Sequence, residues 1–321
     1  MKRVLITGGA GFIGREVVRC IVGGIGREIT VVDNLSSSSA EWLKGITKVS
    51  FINMNLEDFL SENHVGEFDE IYHLASPVGP VGVLQYKGKI SKTIIDHLYD
   101  VAILAIESNA KLCYVSTSEI YGQNPIFDQS EDIDKIVPSN YTVRLEYGIA
   151  KLTGEIMLAN LKKAYPDFEY FVIRPFNIVG KDQNAGLGFV IPRFVSQALH
   201  NEPMTVYGDG TDKRTFTDVR DIARIMTKIM DSDICNTFNV GNPDNVITIG
   251  ELARLIKRRA NSQSKIRFVD PKTLWGKDFE EAWNKIPNID RLKSLVGDWP
   301  QNRLIDIIDD ILADEYTKER L

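Results

Sequence analysis

Lys2–Gly14, KRVLITGGAGFIG, decides how the chain is read. Val4, Leu5 and Ile6 form a short uncharged apolar run, the pattern of a strand buried on both faces of a parallel sheet. The run stops at Thr7 and gives way to Gly8, Gly9, Gly11 and Gly14. Phe12, Ile13, Val17, Val18 and Ile21 then recur at helical spacing, so the glycines mark a strand-to-helix junction. Such a junction suits a dinucleotide pyrophosphate. Glycines let the backbone turn tightly and approach the phosphates, and the helix start offers unpaired N–H groups and a positive dipole end. Gly8, Gly11, Phe12, Ile13 and Gly14 are the candidate contacts.

Working outward, Glu28–Val32 reads as the next strand, and Asp33 closes it roughly 20 residues after the glycines. An acid there accepts hydrogen bonds from an adenosine ribose and repels the extra phosphate of NADP. No Arg or Lys stands between Asp33 and Lys44, so NAD is the expected cofactor, with Asp33 and Asn34 on its ribose side. Val49–Asn53 and Asp69–Leu74 read as the third and fourth strands. Asn55 and Leu56 follow the third, where an adenine would lie. Leu74, Ala75 and Ser76 close the fourth, small enough to pass under phosphates and ribose. The stretch 78–88, VGPVGVLQYKG, reads equally as a loop over the active site or as a surface crossover into a long helix, Ile90–Asn109.

Lys111–Val115 is the fifth strand and runs into Ser116, Thr117, Ser118 and Glu119. Hydroxyls and a carboxylate at that end of a parallel strand stand where open α/β sheets bind ligands. On the next helix Tyr147 and Lys151 share one face, within reach of each other. A phenol titrates at about 10 in isolation. A nearby ammonium and the positive nicotinamide ring both favour the phenolate. Tyr147 then takes the proton of a sugar or alcohol hydroxyl while hydride leaves for NAD, and Thr117 hydrogen-bonds the same hydroxyl.

Composition sets the outer limits. The 321 residues exceed one typical domain and suit a large α/β unit with a smaller lobe. A net charge of −6 and a pI near 5.4 argue against nucleic acid or an anionic membrane as the main partner. Cys20, Cys113 and Cys235 are scattered in apolar surroundings and read as buried free thiols, which fits a reducing cytoplasm. No apolar run approaches the roughly 20 residues of a membrane span, and the short basic start is not read as a signal peptide. No repeat is visible and no metal is expected.

The set TGGAGFIG, Asp33, HLAS, STSEIYG, Tyr147-x-x-x-Lys151 and RPFNIVG resembles the extended short-chain dehydrogenases/reductases that modify nucleotide sugars, over nearly the whole chain. The resemblance implies an α/β fold: a doubly wound Rossmann domain for NAD over residues 1–175, and a smaller C-terminal lobe for a nucleotide diphosphate sugar over 176–321, partly interleaved. It implies a retained NAD that oxidises a sugar hydroxyl, commonly at C4, and is regenerated when the keto sugar is reduced. Pro175-Phe176-Asn177, after a sixth strand at Phe171–Arg174, resembles the segment beside nicotinamide, with Asn177 reaching the diphosphate. Val190 and Pro192 look like the start of a helix that walls the nucleobase, Tyr207 falls in TVYGDG, which resembles the base-binding strand and turn, and Arg214 matches the diphosphate-binding Arg. Asp218 reads as a helix cap. Trp275–Pro287 reads as a lid over the sugar or as lobe core, with Trp275, Phe279 and Trp283 open to either use. The helices Ile90–Asn109 and 142–163 often form a dimer contact in relatives, so a homodimer is implied.

Ser118 counts against dehydration, for which relatives usually carry an acid there. STSE, RPFN and FTDVRD look most like UDP-glucuronate decarboxylases and related 4-epimerases, with Glu119 orienting the sugar or shuttling a proton. Lys285 occupies the place of an Arg in the decarboxylases, keeping the charge but losing the fork. The expectation is therefore 4-epimerisation, as in UDP-glucose 4-epimerases, ahead of decarboxylation, with C4 oxidation and release of the keto sugar third. The reading from a different class is an NAD-binding redox sensor; retention of Thr117, Tyr147 and Lys151 speaks against it.

Overall fold

Seven strands form the central layer of the computed structural model, which describes residues 1–24, 26–79, 82–86, 88–270, 272–275 and 285–318. They are β1 (Lys2–Thr7), β2 (Arg27–Asp33), β3 (Val49–Asn53), β4 (Glu70–His73), β5 (Lys111–Val115), β6 (Tyr170–Pro175) and β7 (Thr237–Val240). All pair in parallel, in the order β7-β6-β5-β4-β1-β2-β3. The order reverses between β1 and β4, and the crevice at their C-terminal ends is where such sheets take ligands. The main helices are α1 (Phe12–Val22), α2 (Ile90–Ser108), α3 (Val143–Ala164), α4 (Val190–Leu199), α5 (Val219–Met230), α6 (Ile249–Arg259), α7 (Asp290–Val296) and α8 (Leu304–Lys318).

Burial explains the layering. Val17, Val18 and Ile21 of α1 join Ile222, Ile225, Met226 and Ile229 of α5 against one face of the sheet. Leu98, Val101 and Ala102 of α2 and Leu158 of α3 cover the other. A separate core holds Phe194 of α4, Ile256 of α6 and Ile308 of α8, all with no exposed surface. Burying one such side chain stabilises the fold by about 2 kcal/mol. Strand β7 and helices α5 and α7 come from the C-terminal half yet complete the first layer, so the large sheet draws on both halves of the chain.

Local signals hold at the ends. Asp218 Oδ1 accepts from Arg220 N at 2.8 Å and caps α5. Thr142 caps α3 through Leu145 N at 3.1 Å, and Thr248 with Glu251 forms a capping box on α6. Helix α2 ends one residue early because Asn109 takes a left-handed cap, φ 53°.

The cysteine expectation needs correcting. All three are free, but only Cys113 is buried. Cys20 lies on the outer side of α1, whose buried stripe is Val17, Val18 and Ile21, and Cys235 lies in the exposed approach to β7. Within 78–88, Gly82–Tyr86 form a 3-10 turn, while 80, 81 and 87 lie outside the described residues. Of Trp275–Pro287, residues 276–284, including Phe279 and Trp283, also lie outside them. Ile286–Pro287 pair in parallel with Asp128–Gln129. Among the described residues no helix is long and apolar enough to cross a membrane.

Candidate active site

The glycine turn is built for close approach. Gly8 has φ +70°, and a Cβ there would lie 2.6 Å from Ala75 N. A Cβ on Gly14 would lie 2.5 Å from Gly8 O, so side chains are excluded where β1 enters α1. Gly11 caps α1 with no side-chain acceptor, which leaves its first-turn N–H groups to an anionic ligand. Phe12 and Ile13 pack partly on the first core. At the end of β2, Asp33 accepts from Ala10 N at 3.1 Å and from Leu35 N at 2.8 Å, which fixes the carboxylate beside the turn. Asn34 Nδ2 donates to Asn55 Oδ1 at 3.1 Å. The Leu56 side chain belongs to the second core. Leu74, Ala75 and Ser76 are half-buried at the end of β4, where Thr7 Oγ1 and His73 Nδ1 lie 2.8 Å apart. A cradle of this shape and polarity fits a dinucleotide.

The catalytic candidates converge at the end of β5. Thr117 Oγ1 accepts from Glu119 N at 3.2 Å and opens the 3-10 turn Ser118–Tyr121, in which Ser118 is buried. Tyr147 on α3 stands against Thr117, whose hydroxyl acts on its phenol. The approach is close because α3 carries Gly148, where a Cβ would lie 3.0 Å from Glu119 O. Lys151 Nζ donates to Val115 O at 2.9 Å and stands 5.0 Å from the Tyr114 ring centroid. Burial pushes the Tyr147 phenol up; the Thr117 hydroxyl pulls against this and Glu119 adds to it. Burial also pushes the Lys151 ammonium down to about 7, with Glu155 opposing.

Glu119 is clamped. Arg144 Nη1 lies 3.0 Å from its Oε2, and Lys285 Nζ lies 3.0 Å from its Oε1, off the axis of a good hydrogen bond. Burial alone would raise this carboxyl, but the two cations hold it at about 2. It is therefore ionised near neutrality, which suits an orienting anion and not a proton shuttle. Sequence reasoning missed Arg144, three residues before Tyr147 on the same side of α3. It also missed Glu155, which takes hydrogen bonds from Ser116 and Arg174 under the site.

The substrate candidates form two groups. Buried Arg214 bridges to Lys285 through the backbone, and Asn177 Nδ2 donates to Thr215 O at 2.8 Å, so this group adjoins Glu119. Tyr207 lies farther out beneath the Arg193 guanidinium, 4.1 Å from its ring centroid, with half-buried Val190 and Pro192 on the same helix as Arg193. Pro175 ends β6.

Residues 4–241 match the model of the NAD dependent epimerase/dehydratase family. The chain belongs to that family. It is thus an NAD-dependent enzyme of the extended short-chain type, as the glycine turn and Asp33 led one to expect. It is 32% identical to a UDP-N-acetyl-alpha-D-glucosaminuronate decarboxylase of Bacillus cytotoxicus, over 92% of this chain and 91% of that one. It is 34% identical to UDP-glucuronic acid decarboxylase 1 of Danio rerio, over 92% of this chain and 68% of that one. Among solved structures it is similar to a UDP-N-acetylglucosamine 4-epimerase from Methanobrevibacter ruminantium, with TM-score 0.86, 25% identity and 99% of each chain covered.

Proposed function

We propose that this enzyme oxidises C4 of a UDP-linked sugar to a 4-keto intermediate, with Tyr147, Thr117 and Lys151 acting on the hydroxyl. The observation that carries it is Thr117, buried at the end of β5, with Tyr147 set against it from α3 and Lys151 one turn on, beside the switch-point crevice. NAD, when bound, accepts the hydride from C4 and returns it. Tyr147 takes the hydroxyl proton, Thr117 holds the oxygen in line, and the Lys151 ammonium favours the phenolate. Arg214 and Asn177 bind the diphosphate, and Tyr207, Val190 and Pro192 flank the base.

The sugar we propose is a uronic acid. Arg144 and Lys285 both face Glu119, and buried Arg214 bridges to Lys285, so cationic side chains gather where a C6 carboxylate would lie. A 4-keto uronate is a β-keto acid, so its C5–C6 bond can break with the electron pair passing to the C4 carbonyl. Tyr147 and Thr117 hold that oxygen while carbon dioxide leaves, and the enolate then takes a proton from water at C5, restoring the C4 ketone that is reduced. The names of the relatives support this outcome. 4-Epimerisation, which the motifs alone put first, is the second reading; Lys285 in place of a forked guanidinium and the likeness to the 4-epimerase support it. Assembly as a homodimer through α2 and α3, which expose Tyr99 and Ile156, belongs to the same reading.

Incubation with UDP-glucuronate, its N-acetylated counterpart, UDP-glucose and UDP-N-acetylglucosamine, read by mass and NMR, tests the proposal. Loss of carbon dioxide supports decarboxylation, and an inverted C4 at constant mass supports epimerisation. No change in any of them, with NAD bound, overturns it.

A further inference from the structure

The stripe of α3 that carries Tyr147 and Lys151 continues one turn to Glu155, and all three meet the end of β5. Thr117 stands against the phenol, Val115 O accepts from Lys151 Nζ at 2.9 Å, and Ser116 Oγ donates to Glu155 Oε1 at 2.5 Å. Glu155 is buried, and Arg174 of β6 donates to it from Nε at 3.0 and 3.2 Å and from Nη2 at 2.6 Å. Arg174 Nη1 also donates to Tyr121 Oη at 2.9 Å, and Tyr121 Oη donates to Asn239 Oδ1 at 2.6 Å. The carboxylate is thus held in one place by charge-assisted bonds inside a connected network. A buried ion pair is weak as a device for stability, because desolvation offsets most of its attraction. Its place beside the catalytic ammonium gives it another use.

The groups around Lys151 leave that use to Glu155. Tyr147 shares its helix. His73 of β4 is pushed well down by burial and stays neutral, and Tyr114 of β5 is pushed well up. Glu119 is committed to Arg144 and Lys285, and Arg174 to Glu155. Among the described residues Glu155 is the anion that acts on Lys151.

We propose that Glu155 is a positioning residue for Lys151: it locks the register of α3 on the end of β5 and keeps the Lys151 side chain charged beside Tyr147. The inference rests on the proposed use of Tyr147 and Lys151, but its first test needs no turnover. The protein is labelled at lysine 13Cε, the Lys151 signal is assigned by its loss in Lys151→Arg, and the signal is titrated with NAD bound.

Removing the negative charge disfavours the ammonium, so Glu155→Gln lowers the Lys151 midpoint by about one pH unit. The alkaline limb of kcat moves down with it, at unchanged KM. Glu155→Asp keeps the charge at a longer reach and gives a smaller drop; if Glu155→Gln does not fold, this variant decides. Ser116→Ala removes a bond and no charge, so its midpoint stays. An unchanged midpoint in Glu155→Gln or Glu155→Asp, or a drop in Ser116→Ala as large as that of Glu155→Gln, overturns the inference. Failure of every nucleotide sugar to turn over, with the midpoint shifted, counts against the proposed reaction and leaves this inference standing.

Discussion

Glu119 ties the catalytic turn to α3 through Arg144 and to the strand at Ile286 through Lys285. Glu119→Gln removes the charge that both cations face. A carboxyl held at about 2, against its ordinary 4.5, stabilises the fold by about 3 kcal/mol at neutral pH. The folded value is the lower one, so this stabilisation is complete above the unfolded value and is lost as pH falls toward 2. By pH 3 about 2 kcal/mol of it is gone. Urea unfolding of wild type and variant at both pH values reads the effect directly. The stability gap should be about 3 kcal/mol at pH 7 and about 1 kcal/mol at pH 3. A gap of equal size at the two pH values would refute the clamp as the cause of the depressed carboxyl.

Other substitutions probe the remaining parts. Tyr147→Phe should lower kcat by about 10²- to 10⁴-fold while NAD and substrate affinity stay within a few-fold; near-normal turnover removes the phenol from the reaction. Asp33→Ala should weaken NAD by about tenfold and NADP less, in fluorescence titration; equal losses undo the cofactor assignment. Gly8→Ala, with φ +70° and a Cβ 2.6 Å from Ala75 N, should cost about 2 kcal/mol or more in stability and abolish NAD binding. Wild-type melting and NAD affinity in that variant would contradict the close-approach argument.

How much the chain disclosed followed the range of each interaction. Strand β1, its glycines and Asp33 were legible because an apolar run, a turn and a polar cap each reside within a few neighbouring residues. Asp218 as a cap and Tyr147 beside Lys151 were legible for the same reason. Arg144 was not, because its partner Glu119 lies 25 residues away on another element. Glu155 was not, because Ser116 lies 39 residues away and only the packing of α3 on β5 joins them. The place of β7 beside β6 is likewise a matter of topology, since a short apolar strand carries no mark of which sheet it joins. Cys20 was misjudged because flanking apolar residues do not say which side of a helix a thiol occupies. The ionised state of Glu119 needed Arg144 and Lys285 brought together from either end of the site.

The central claim is that C4 of the sugar is oxidised and then reduced in one site. UDP-glucuronate carrying deuterium at C4, incubated with the enzyme and read by mass and NMR, tests it most directly. The account predicts a product that has lost carbon dioxide and still carries deuterium at C4, since the hydride that leaves is the one that returns. Turnover with solvent hydrogen at C4, or a product formed without any exchange of hydride with NAD, would contradict it.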